Sequence, residues 1–144
     1  MLIRNILEES VRKFDEVKAV KWLKKKEIME RSYGELMENV VSTRKGLLAE
    51  GFEGKHIALI GTSSVEWMES YLGIITGCTT AVPLDAALPC EDLIDLLNRS
   101  DSAALFLSPK LKPYLDAFLE NCPKLQKVWM LQEEVEDAPA KVYG

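Results

Sequence analysis

Few side chains in this sequence have the types and spacing that covalent or acid–base chemistry needs. The stretch Gly61-Thr62-Ser63-Ser64 follows an apolar run and opens a helical pattern, a place where helix N-terminal amides favour an anion. It has one glycine and no following lysine, so it lacks the composition of a phosphate loop, and helix capping accounts for its hydroxyls. His56 is the only histidine. That leaves little material for a nucleophile–histidine–acid arrangement, and no close cysteine or carboxylate spacing surrounds it to hold a metal. His56 is therefore read as the head of a strand. Asp85 lies where an α/β enzyme places functional carboxylates, and is read as a loop carboxylate bonding local amides. Cys78 adjoins a buried strand without the electropositive, open setting of a reactive thiol. Gly73 and Gly77 are spaced as a helix-packing face. The residues themselves thus assign no catalytic, cofactor-binding or metal-ligating position.

Composition narrows the classes further. The chain has 144 residues, 47% of them hydrophobic, and a chain of about 150 residues can bury roughly 70% of its unfolded surface around one core. A formal charge of -5 argues against a nucleic-acid face, which needs clustered excess Lys and Arg. Lys24-Lys25-Lys26 is the only basic cluster, and it reads as a solvated turn. Cys78, Cys90 and Cys122 are widely spaced and no secretory leader is evident, so free thiols and a cytoplasmic location are expected. No apolar run approaches the roughly 18 residues of a membrane span.

The elements that would position any site follow from periodicity. Ile3, Leu7, Val11 and Phe14 recur at helical spacing over a charged opposite face. The β-prone runs 19–23 and 28–31 flank the triple lysine as a hairpin with an exposed tip. Ser32 and Glu35 form a capping box, the Glu35 side chain reaching back to the Ser32 amide. The helix they open carries Leu36, Val40, Thr43, Leu47 and Leu48 inward, has Arg44 and Lys45 late to complement its dipole, and stops at Gly51. Residues 56–60 are a continuous apolar run, the signature of a strand buried on both faces. Ser63 and Glu66 predict a second capping box, opening a helix with Trp67, Tyr71, Ile74 and Ile75 buried, which Gly77 ends.

A strand over 79–84 follows, with Pro83 at its end because proline has no amide for a central ladder. Pro89 opens a helix burying Leu93, Leu96 and Leu97, and 103–107 is a third strand. Ser108-Pro109 is expected to cap a helix carrying Leu111, Leu115, Phe118 and Leu119, and 127–131 supplies a fourth strand. The segment 132–144 is acidic and polar and reads as a strand exit or ragged end. This alternation implies an α/β fold, a doubly wound, mostly parallel sheet with helices on both faces, plus an N-terminal helix and a β-hairpin.

In order and spacing, Arg31-Ser32-Tyr33-Gly34-Glu35-Leu36, Lys55-His56-Ile57-Ala58-Leu59-Ile60, Glu66-Trp67, and Gly77 through Val82-Pro83-Leu84-Asp85 resemble the N-terminal part of the adenylate-forming enzymes. Those show a Thr-Tyr-x-Glu-Leu helix start, a Gly-Asp-x-Val-Ala strand, a Glu-Trp helix and a Gly-x-x-x-Val-Pro-Leu-Asp segment. Three departures are compatible with the fold: Ser32 for Thr, Lys55-His56 for Gly-Asp, and Cys78-Thr79-Thr80-Ala81 for smaller residues. The tract from Ala87-Leu88-Pro89 to Asn98-Arg99-Ser100, followed by Leu105-Phe106-Leu107-Ser108, is most similar to the fatty-acyl-CoA synthetase branch.

The resemblance implies a partial domain of a larger enzyme: an α/β subdomain over 1–131 with 132–144 as an exit segment. It implies an acid–thiol ligase that uses ATP, Mg²⁺ and CoA on a carboxylic, in this branch fatty, acid. It also implies that the remainder of its own polypeptide is the main partner, carrying the phosphate loop, the ribose-binding aspartate and the late lysine. Two alternatives stay open: a non-catalytic interaction module, and part of an amino-acid-activating adenylation domain.

Overall fold

The computed structural model describes residues 2–131 and the backbone of residues 142–143. Helix α1 (Ile3–Phe14) leads into an antiparallel ribbon of β1 (Lys18–Lys24) and β2 (Glu27–Ser32), then α2 (Tyr33–Ala49). The winding continues with β3 (His56–Ile60), α3 (Val65–Ile75), β4 (Thr80–Leu84), α4 (Cys90–Arg99) and β5 (Ser102–Leu107). A 3₁₀ helix (Pro109–Tyr114), α5 (Leu115–Asn121), β6 (Lys127–Met130) and β7 (Val142–Tyr143) complete it. The main sheet has the order β4-β3-β5-β6-β7 with every pair parallel.

Alternation along the strands divides two cores. Ala58 and Ile60 of β3 with Leu105 and Leu107 of β5 point to the face covered by α4 and α5, where Leu93, Leu97 and Phe118 are buried. Ile57, Leu59, Ala104 and Phe106 point to the opposite face, against Leu47 of α2 and Ile74 of α3. Period-2 alternation with both sides apolar is why these strands read as unbroken hydrophobic runs. Helices α2 and α3 meet closely: a Cβ on Gly73 would lie 2.6 Å from Thr43 Cβ, so glycine sets their separation. Gly77 likewise makes room for Arg44, whose Cγ would be 2.9 Å from an added Cβ.

Several expectations are corrected in detail. Serine 64, and not Ser63, is the N-cap of α3, its hydroxyl accepting from the Trp67 amide at 3.1 Å. The helix starts one residue later, so Glu66 falls outside the reciprocal position. At α2 the Ser32 hydroxyl accepts from the Glu35 amide and donates to Glu35 Oε1, both at 3.1 Å, so the carboxylate returns to the hydroxyl and not to the Ser32 amide. Leu48 is 57% exposed, because it sits about 100° round the helix from Leu47. Arg44 lies more than a turn before the end of α2 and donates from Nη2 to Thr76 Oγ1 at the C-terminus of α3, 2.9 Å away.

Helix α3 stops at Thr76, ahead of Gly77, whereas Gly51 does end α2's exit in the left-handed region, φ 79°. Pro89 is the N-cap of α4, one residue outside the helix. Ser108 caps nothing through its side chain; a 3₁₀ helix with Pro113 inside it precedes α5. Pro83 is one residue from the end of β4, an edge strand, so its missing amide costs no ladder bond. The expectation of a polar exit over 132–144 falls largely outside the described residues, but Val142–Tyr143 pairs with β6 as a fifth parallel strand, which the polar composition concealed.

Candidate functional site: the crevice beyond the carboxyl ends of the strands

Strand β3 is followed in the chain by β4 on one side, and the next strand, β5, lies on its other side. In open parallel sheets the crevice for a ligand lies beyond the carboxyl ends at such a reversal. A hollow of about 700 Å³ occupies that place here, lined by Gly61, Thr62, Ser63, Asp85, Lys110 and Tyr114 among others.

Each of these side chains is placed by a local rule. The Ile60 carbonyl accepts from the Ser108 amide at 3.0 Å, which brings the exit loops of β3 and β5 together. The Ser108 hydroxyl, in a residue 1% exposed, accepts from the Thr62 amide at 3.2 Å. An added Cβ on Gly61 would run into Ser108, so glycine is required for this close approach. Two of the donors that an anion could have used are thereby spent: the Thr62 amide on Ser108, and the Trp67 amide on Ser64. Thr62 and Ser63 remain exposed at the rim. Trp67 stacks on Tyr71 with centroids 5.3 Å apart and forms part of the wall.

Asp85 Oδ1 accepts from the Ala87 amide at 2.9 Å, the local role read from its loop position. His56 sits at the amino end of β3, on the opposite edge of the sheet from the crevice; its Nδ1 donates to the Ser100 carbonyl at 2.7 Å. Cys78 is exposed, Cys90 partly buried and Cys122 buried, all as free thiols. Burial, with a smaller contribution from Cys90, holds the Cys122 thiol above its ordinary range. Sequence reasoning missed Ser108 and Lys110 as crevice residues. The local pattern makes Ser108 a helix cap, and only the parallel pairing of β3 with β5 turns it toward Gly61.

Magnesium and nucleotide phosphates find a poor fit among the described residues. Among the described residues no group of three or more His, Cys, Asp or Glu is placed to hold a metal ion. The crevice lining offers the single cation of Lys110 and one glycine, with the Thr62 amide already bonded to Ser108. No helix among the described residues is long and apolar enough to cross a membrane.

Against known structures the fold finds close counterparts. It superposes on coronafacic acid ligase from Pectobacterium brasiliense with a TM-score of 0.85 and 20% identity, covering 99% of this chain and 28% of that one. The anthranilate CoA ligase AuaEII, in complex with anthranoyl-AMP, gives 0.80 and 18%, covering 91% and 25%. The N-terminal domain of FACL13 from Mycobacterium tuberculosis gives 0.80 and 18%, covering 97% and 38%. The chain thus spans well under half of each of these structures. No sequence among curated proteins matches it. The family model described as AMP-binding enzyme matches residues 7–142, and over that span, in pattern as in fold, this chain belongs to the AMP-binding, adenylate-forming enzymes.

Proposed function

We propose that this chain is the N-terminal scaffold of an ATP-dependent acid–thiol ligase, which activates a carboxylic acid as its acyl-adenylate and transfers the acyl group to CoA. The observation that carries the reading is the family match across residues 7–142. The acid is proposed to be fatty, from the similarity of the 87–108 tract to that branch, and the enzyme to act in the cytoplasm. In this reading β3, β4, β5 and their exit loops form one wall of a site that the rest of the polypeptide completes. The crevice supplies shape and one cation, and the phosphate-gripping loop and catalytic lysine are contributed from outside these residues.

The test is ATP–pyrophosphate exchange and CoA thioester formation with a panel of short and long fatty acids, aromatic acids and amino acids, run on the 144-residue chain and on the longest open reading frame containing it. Activity confined to the longer product, strongest with fatty acids, is expected. Thioester formation by the 144 residues alone defeats the scaffold reading, and activity confined to amino acids defeats the fatty-acid one.

A further inference from the structure

The β1–β2 ribbon stands apart from the main sheet as a two-stranded unit. Two-stranded ribbons are marginal on their own in water, and this one buries little: the cross-strand partners Leu23 and Ile28 are 74% and 72% exposed. Part of its anchorage is polar. Arg31 of β2 lies over the Trp22 ring, 5.5 Å from the centroid, and its Nε is 3.3 Å from Glu69 Oε1 of α3 as an ion pair. The other carboxylate oxygen of Glu69 accepts from Asn39 Nδ2 of α2 at 2.6 Å. Glu69 is only 4% exposed. These residues border a hollow of about 420 Å³ floored by Phe106 and Trp129.

We propose that β1–β2 is a hinged arm, latched to the α2–α3 layer by the Arg31–Glu69 pair. Chain joins at Ser32 and at Asp15, whose carbonyl accepts from the Gly34 amide at 2.9 Å, serve as the pivot. The charged groups around the hollow are Arg31, Glu66 and Glu69; α2 contributes the neutral Asn39, Ser42 and Thr43, and the sheet contributes aromatic and aliphatic surface. Lys127, beyond Trp129, is 2.6 Å from Glu50.

Burial holds the Glu69 carboxyl above its ordinary range, opposed by Asn39 and Arg31 and reinforced by Glu66.

Hydrogen exchange of peptides spanning 18–32, read by mass spectrometry and corrected for intrinsic rates, tests the latch on the intact chain. Arg31→Gln and Glu69→Gln are each expected to speed exchange of that ribbon by about tenfold or more, the change in open population that loss of one charge-assisted contact produces. The double variant is expected to add little beyond either single. Peptides from β3 and β5 should keep their protection. Unchanged exchange in both single variants, or ribbon exchange rising only in step with β3 and β5, overturns the proposal.

Discussion

A single hydroxyl decides where α3 begins. Ser64 has extended backbone, φ -155° and ψ 165°, and presents its oxygen to the Trp67 amide, while Ser63 is exposed. Ser64→Ala is therefore expected to lower stability by about 0.5–2 kcal/mol, with Ser63→Ala within about 0.5 kcal/mol of the parent. Urea unfolding midpoints of the two variants check the assignment, and equal losses would refute it. The hairpin tip makes a similar local demand. Lys25 and Lys26 both have positive φ, 49° and 68°, as a two-residue turn between right-twisted strands requires. Lysine pays a steric cost there that glycine does not. Lys26→Gly is expected to stabilise the chain by about 0.5–1 kcal/mol, visible as a rise in thermal midpoint; a fall would show that the lysine makes a compensating contact.

Between elements, small side chains and large ones have opposite duties. Gly73 lets α3 approach α2, where an added methyl would meet Thr43 and come within 3.1 Å of the Val40 carbonyl. Backbone cannot move aside as a flexible side chain can, so Gly73→Ala is expected to cost about 1–3 kcal/mol despite alanine's better helix propensity. Calorimetry that finds this variant more stable than the parent would contradict the packing account. On the other face Phe118 is fully buried under α4 and the sheet. Phe118→Ala is expected to cost about 3–5 kcal/mol, measured by denaturant unfolding. A loss near 1 kcal/mol would mean that α5 folds over the gap. Helix α1 gives the contrast: Ile3, Ile6 and Phe14 are each about half exposed, so alanine at Ile6 should change stability far less than at Phe118.

For the molecule as a whole, the family match covers residues 7–142 and a crevice lies at the β3/β5 reversal; in the proposed function these residues are structure and the reaction is completed by chain outside them. The alternation of apolar strands with capped helices was legible because each element buries a face of its own, and periodicity records which face. The hairpin was legible from its charged tip, and the local role of Asp85 from its loop position, since both depend on neighbours a few residues away.

What the linear pattern determined, then, was the class of fold, the order of strands and helices as far as β6, and the strand-end position of Asp85. The spatial structure alone decided that β5 lies beside β3, that Ser108 turns to Gly61 and not to its own helix, that Arg44 serves α3, and that Arg31, Asn39 and Glu69 meet. Each of these joins residues about 30 or more positions apart. Such contacts depend on how whole elements pack, and no local spacing encodes them.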